Sequence, residues 1–424
     1  MAAGWKAGTG TITFTPGEPM WLAGWAVRQA PANGAISDLK ATALALEDGD
    51  ENTLVLVAAD IIAIPREIAD AAANRVRQTH RRLPRHHFIF AASHTHGAPE
   101  IRPDKALFFN IPPEYAAKIP LAAEQLIDAM ARAALAALNN REPARLFWRR
   151  TSAGFAHNRR AGGDSNDHDV PVLEVKSASG KPAAIVFGYA CHNLTLDPHD
   201  LRYCAEWSGF AREHLQEWNS GATALFMAGC GADQNPEPRG TLELARQYGL
   251  ELATNTQKSL ETPGREIEPI MQVAAEDLQL QMVPVTPEWI AESLLSNDPP
   301  RKVKAQFLKN KLDGDQTLDY AYSAPMQAIR LGEQVLMIAM SGEPVVEWAH
   351  RFKKEFPVPL VWVAGYCNDM YGYLPTRQVQ AGGGYEGGRA NLWSSLPAPW
   401  TDDVEDRIWT GIRQLVNQVS TNRK

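Results

Sequence analysis

Ser93-His94-Thr95-His96 follows an apolar, aromatic run, His87–Ala92, and carries two imidazoles one residue apart. If the extended conformation continues through it, side chains two apart share a face. A pair of imidazoles at a strand end is the beginning of a metal site. A second histidine has the same setting: Ala183–Ala190 reads as a strand, and Cys191-His192-Asn193 follows it. Alone, each motif also reads as ordinary strand-end histidines; together, three histidines at two strand ends favour a metal. Catalytic zinc commonly takes three protein ligands and a water, so a carboxylate after another strand is the next feature to seek. Val335–Met340 is apolar and runs into Ser341-Gly342-Glu343-Pro344. An acid buried there costs several kcal/mol without a partner, and a metal would be a sufficient one. The alternative is a solvated Glu343 capping a helix that starts near Pro344. His86, His87, His199, His214 and His350 lack this context and read as surface or packing residues.

The elements that must position these residues alternate between strand and helix signals, which predicts an α/β fold: layered mixed β-sheets flanked by helices. Thr53–Ile64 is a long buried-strand run, and a Pro-initiated helix from Pro65 to about Thr79 follows it. Pro112–Leu138 is Ala/Leu-rich and reads as one long helix or one broken at Pro120. Arg145–Thr151, Val170–Lys176, Ala222–Ala228 and Val358–Ala364 are further strands. The last two lead into the loops GCGADQNP and GYCNDMYGY, and chemistry in α/β proteins sits on such loops. Arg239–Leu260 reads as a helix, and Gln327–Met340 as a hairpin through Leu331-Gly332-Glu333. Residues 286–315 form a helical insertion or a lid, and Asp402–Val419 is an amphipathic closing helix. No repeat or low-complexity linker divides the chain, so residues 1–424 read as one large domain.

Apolar residues make up 45% and charged residues 21%, as in an ordinary globular protein. A net charge of -7 and the lack of Lys/Arg runs give no reason to bind nucleic acid or a polybasic-seeking membrane surface. No apolar stretch reaches the roughly 18–20 residues of a membrane span. The start, MAAGWKAGTG, lacks the pattern of a signal peptide, so the chain is either cytoplasmic or already processed. Cys191, Cys204, Cys230 and Cys367 are widely spaced without a CxxC pair. They read as buried thiols, with one bridge left open. Some of Trp21, Trp25, Trp207, Trp393 and Trp400 fall near the site segments; they either line an apolar or sugar-binding pocket or pack the core and its rim.

These motifs, in this order, resemble the catalytic domain of the neutral/alkaline non-lysosomal ceramidases, from ITFTPGEPMWLAGWAVR to GYLPTRQVQAGGGYEGG. Ser93-His94-Thr95-His96-Gly97-Ala98-Pro99 is similar to the family's HTHSGPGG-like motif. Tyr189-Ala190-Cys191-His192 resembles its next strand-end histidine, and Cys204–Gly209 its following acidic turn. Gly342-Glu343 resembles its Gly-Glu at a helix start, and Tyr373 with Tyr385-Glu386-Gly387 keeps its Tyr spacing. The resemblance implies a zinc held by His94, His192, Glu343 and Tyr373, with His96 behind the ligands or on the substrate. It also implies Tyr385 as a donor to the bound carbonyl and Asn158-Arg159 as a pair reaching the site. Relatives of this type are usually exported, which implies a periplasmic or secreted protein.

Two departures matter. Where the family has a nucleophilic Ser in G-D-x-S-P, this chain reads Ala232-Asp233-Gln234-Asn235-Pro236, and an amide cannot supply an alkoxide. The family's extra C-terminal domain is also not matched. The expectation is therefore a zinc-dependent hydrolase of a linear N-acyl amide other than ceramide, using zinc-activated water, which needs no serine. His96 or Asp233 would orient that water or carry its proton. Arg159 and Tyr385 would stabilise the oxyanion, and Asn235 would hold water or substrate. The rival readings are an esterase or other hydrolase on the same scaffold, and a non-catalytic binding protein that has lost its chemistry.

Overall fold

Apolar, β-branched and aromatic runs recur along the chain and pair into two stacked sheets. The computed structural model of the protein describes residues 4–420; residues 1–3, part of the stretch read for a leader, lie outside the described residues. The first sheet has nine strands: β1 (Trp5–Thr13), β2 (Lys40–Glu47), β3 (Thr53–Ala59), β4 (Phe88–Ala92), β5 (Glu142–Ser152), β6 (Asp169–Ser177), β7 (Pro182–Tyr189), β8 (Thr223–Ala228) and β9 (Arg265–Ile267). Their order is β8-β7-β6-β5-β1-β2-β3-β4, with β9 beside β5. The second sheet, β10 (Met271–Gln281), β11 (Ala321–Leu331), β12 (Val335–Met340) and β13 (Leu360–Ala364), lies in sequence order.

Helices cover the outer face of each sheet, which gives four layers. Over the first lie α1 (Arg66–Arg77), α3 (Ile119–Asn139), α4 (Glu206–Trp218) and α5 (Leu242–Leu260); α2 (Lys105–Phe108) is a short turn near the site. Beyond α6 (Pro287–Leu294) and α7 (Pro299–Asp313), α8 (Val346–Glu355) and α9 (Val404–Gln418) cover the second sheet. Between the sheets, Leu54, Leu56, Ile89, Leu146, Val186 and Met227 pack with Ile329, Val335, Met337 and Trp362 in one shared core layer. Pairing is mostly antiparallel, but β3 with β4, β7 with β8 and β12 with β13 are parallel. Those three pairs deliver their carboxyl ends to one place, where α/β proteins bind ligands. The sheets are stitched there by Gly365 N–H to Ala228 O (2.9 Å) and Ala92 N–H to Tyr366 O (3.2 Å).

The strand and helix expectations above are met within a few residues, including the β11–β12 hairpin. The Ala-rich segment is two helices, Pro113–Ala116 and α3, with Pro120 in the first turn of α3, where its missing N–H costs nothing. Residues 286–315 are helical as α6 and α7. Cys204–Gly209, expected as a turn, opens α4. The strands β1, β2, β9 and β10 are not among those expected from the sequence. In β1, Gly8 and Gly10 let α3 lie close, because a Cβ at either would collide with the carbonyls of Ala137 and Ala133. All four cysteines are free and buried. Among the described residues, no helix is long and apolar enough to cross a membrane.

Candidate metal centre

His94 lies two residues past β4 and His192 three past β7, so both imidazoles reach the same cavity. The extended path assumed for Ser-His-Thr-His does not continue. His94 adopts a left-handed φ of 61°, and a turn rather than strand alternation brings it near His96, with ring centroids 5.3 Å apart. Backbone bonds hold that turn: His94 N–H donates to Ile61 O (3.0 Å) and Thr95 Oγ1 donates to Cys204 O (2.7 Å). One ring nitrogen from each of His94, His96 and His192 lies within 4.8 Å of the other two, a group that could hold a metal ion.

Tautomers follow from the partners. His94 Nδ1 lies 2.7 Å from Ile62 O, and His192 Nδ1 lies 2.7 Å from Gly231 O. A carbonyl only accepts, so Nδ1 carries the proton and each Nε2 is left as a lone pair. Those two Nε2 atoms approach Glu343 Oε2 at 3.4 and 3.8 Å. Burial drives the His94 pKa down to about 3, and those of His96 and His192 well below the ordinary value. The imidazoles are therefore neutral. Glu343 is pushed up to about 7, again by burial, against the opposing pull of Arg159. Its Oε2 and both ring nitrogens of His96 are buried without a hydrogen-bond partner. Neutral His96 has one N–H and one lone pair with a partner for neither, and a Glu343 oxygen faces the two Nε2 lone pairs unpartnered. Burying these acceptors together is costly unless a cation occupies the site, and zinc accepts imidazole nitrogen and carboxylate oxygen alike. The residues present fit such an ion.

The second sheet supplies the rest. A short parallel ladder sets Glu343 opposite Tyr373 in register. Arg159 joins the two halves. Its Nη2 donates to Tyr373 Oη (2.9 Å) and its Nε to Glu386 Oε1 (2.7 Å), while Nη1 lies 3.5 Å from Asn235 Oδ1. Tyr385 packs edge-on to Tyr373 at 5.4 Å and under the Arg159 guanidinium at 5.6 Å. His94, His96, His192, Glu343, Tyr373, Arg159 and Tyr385 thus surround one cavity of about 400 Å³. Asn235 faces an adjoining cavity that shares Trp25, Arg159 and Tyr385 with the first.

Asp233 and Asn158 stand apart from the cavity lining. The Asp233 carboxylate accepts from Val346 N–H (2.9 Å) and Asn158 Nδ2 (3.0 Å), tying the start of α8 to the strand before Arg159. Among the tryptophans, Trp25 and Trp393 line the cavity. Trp207 Nε1 donates to His192 O (3.0 Å) and Trp400 Nε1 to Tyr373 O (2.8 Å), so both brace backbone at the site. Trp21 packs with Ile111 and Ile119 instead.

Several contributors carried no sequence signal that singled them out. Tyr366 lays its ring 4.5 Å from that of His94. Gly24, at a φ of +91°, leaves room for His96, whose ring a Cβ would strike. Arg102 and Lys105 line the cavity from the loop beyond His96 and from α2. Glu206, by contrast, is the acid of the Cys204–Gly209 turn that the resemblance pointed to; fully buried, it takes the N–H groups of Thr195 (2.9 Å) and Leu196 (2.8 Å) on Oε1, steadying the loop after His192.

Four stacked layers with imidazoles converging at the ends of parallel strands define an α/β protein with a candidate metal centre. No family model and no curated protein sequence matches the chain. Among solved structures, the neutral ceramidase from Pseudomonas aeruginosa is similar with a TM-score of 0.76 and 17% identity, over 98% of this chain and 74% of that one. A ceramidase complexed with C2 is similar with a TM-score of 0.75 and 18% identity, over 100% of this chain and 77% of the other. The chain has the fold of the neutral ceramidases.

Proposed function

We propose that the protein is a zinc-dependent hydrolase of a linear N-acyl amide, acting on a small-molecule, lipid-like or sugar-like substrate other than ceramide. The observation that carries this reading is the buried cluster of unfilled acceptors: the facing Nε2 atoms of His94 and His192, an unpartnered Glu343 oxygen and a neutral His96 without a partner, in a ceramidase-like fold. The proposed ligands are His94 and His192 through Nε2, Glu343 through its carboxylate and Tyr373 through its hydroxyl. Zinc, when bound, supplies Lewis acidity and lowers the pKa of water from about 16 to about 7.

The remaining work falls to side chains. His96, neutral and with both ring nitrogens unpartnered, orients the attacking water and takes its proton. Arg159 and Tyr385 donate to the developing oxyanion, where one good donor contributes roughly 3–4 kcal/mol. Asp233 acts as a positioning residue, holding the strand before Arg159 to the start of α8. Asn235 steadies Arg159 and borders the adjoining cavity. With no serine at that place, the amide is cleaved without an acyl-enzyme.

Elemental analysis of zinc-supplied protein, followed by a panel of N-acyl amides, esters and phosphoesters, tests the reading. About one zinc per chain and hydrolysis of an N-acyl amide, lost with chelator and restored by zinc, is the expected result. Hydrolysis of esters alone would redirect the reading to an esterase. A protein that takes up no metal would return it to a binding protein, with Asn235 as the mark of lost chemistry.

A further inference from the structure

The cavity wall beyond the imidazoles carries more positive charge than the hydrolytic step uses. Arg102, Lys105 and Arg159 line it, against one lining carboxylate, Glu343. Arg159 is engaged by Glu386 and Tyr373. Arg102 gives Nε (2.7 Å) and Nη2 (2.8 Å) to Glu100, a carboxylate that also takes the backbone N–H groups of Ile101 and Arg102 and lies off the wall. That pairing fixes the guanidinium in a buried position, yet among the described residues its Nη1 finds no hydrogen-bond partner. Lys105 Nζ donates to one acceptor, Trp393 O at 2.5 Å, and its nearest carboxylate oxygen, on Asp104, is 4.0 Å away. Two ammonium hydrogens therefore remain to be satisfied. Burial, with Arg102 as the next cause, lowers the Lys105 pKa to about 8 against the weaker opposing pull of Asp104, Glu100 and Glu343.

Unfilled donors on two fixed, neighbouring cations inside a cavity are the chemistry that captures an anion. We propose that the amide substrate bears a monoanionic group, a carboxylate or sulfonate, held between Arg102 Nη1 and Lys105 Nζ while the amide lies at the imidazole cluster. The proposal rests on the hydrolase reading for the amide but on Arg102 and Lys105 alone for the anion. Ceramide, whose amide is flanked by hydroxyls and hydrocarbon, has no group to place there.

The test uses the full chain supplied with zinc and three amides with one acyl chain: N-octanoylglycine, N-octanoyltaurine and N-octanoylethanolamine. Both kcat/KM and the dissociation constant, the latter by calorimetry, are measured for each. The expected result is at least a tenfold preference for both anionic amides over the ethanolamide, carried by KM. In Lys105→Gln, whose amide can keep the bond to Trp393 O, that ratio should fall at least fivefold with zinc content unchanged. Arg102→Lys, which keeps a charge for Glu100 but loses the fork, should lower it as well. Equal handling of the three amides would overturn the proposal. So would a preference for the glycine conjugate alone that survives in Lys105→Gln, since that is carboxylate capture by the metal. If none is hydrolysed, the hydrolase reading fails while the dissociation constants still decide the anion site.

Discussion

On the nine-stranded side of the cavity, the candidate ligands are anchored on backbone: the imidazoles of His94 and His192 donate to carbonyls, and Trp207 holds the His192 carbonyl in turn. On the four-stranded side the supports are side chains, with Tyr373 joined to Arg159, Arg159 to Glu386, and Glu386 to Arg160. The first half is buried and its loops are fixed by sheet geometry. The second is partly open to the cavity and balanced by charge. A site built this way separates holding an ion, which needs rigid lone pairs, from handling a substrate, which needs donors that can adjust.

That division can be broken most severely from the imidazole side. His94→Ala should lower zinc affinity by at least a hundredfold, so that purified variant carries no metal by elemental analysis; a metal-replete, active variant would remove His94 from the centre. Arg159→Met should act the other way. It should leave zinc content intact and lower kcat/KM for the amide by about a hundred- to a thousandfold, the cost of one strong oxyanion donor. Loss of metal in that variant would mean that the two halves are not separable.

Glu206 sharpens the comparison through pH. Burial raises its carboxyl from 4.5 to about 7, so the fold keeps a proton that the unfolded chain releases. This contribution to stability is complete below about pH 4.5 and is lost as pH rises through 7, a change of about 3 kcal/mol. Glu206→Gln removes the titration. Relative to wild type, its stability by denaturant unfolding should improve as pH rises from 4.5 and level off above about 7. A difference that does not vary with pH would show that folding leaves the Glu206 carboxyl unshifted. The smallest effect is expected at the adjustable half: Tyr373→Phe should keep its zinc with affinity lowered about tenfold, by competition with a chelator. A loss as large as that of His94→Ala would place Tyr373 among the rigid ligands.

Much of the site was legible because its residues follow strands that announce themselves. Phe88–Ala92, Pro182–Tyr189 and Val335–Met340 are contiguous apolar runs, and the candidate ligands sit directly after them. The reason given for the His94–His96 pair did not hold, since a left-handed residue, invisible to any periodicity, makes the approach. Lys40–Glu47 reads KATALALE, residues that favour helices, and becomes a strand because neighbours on both sides bury it. Asp233 looked like a proton carrier by its place in a polar loop, but its carboxylate is consumed by Val346 and Asn158. Arg102 and Lys105 gain meaning only once a cavity exists for them to face.

Lys304, on α7, is fully buried and gives its amino group to the carbonyls of Asn391, Ser394 (2.6 Å) and Leu396. Those carbonyls belong to the irregular segment that presents Ala390, Trp393 and Ser394 to the cavity. The breadth of the chamber is thus set by an anchor that touches neither the candidate metal ligands nor the contents. Substitutions along α7 can widen or narrow the range of molecules admitted while the reaction centre stays as it is, a route by which one scaffold can change its diet without relearning its chemistry.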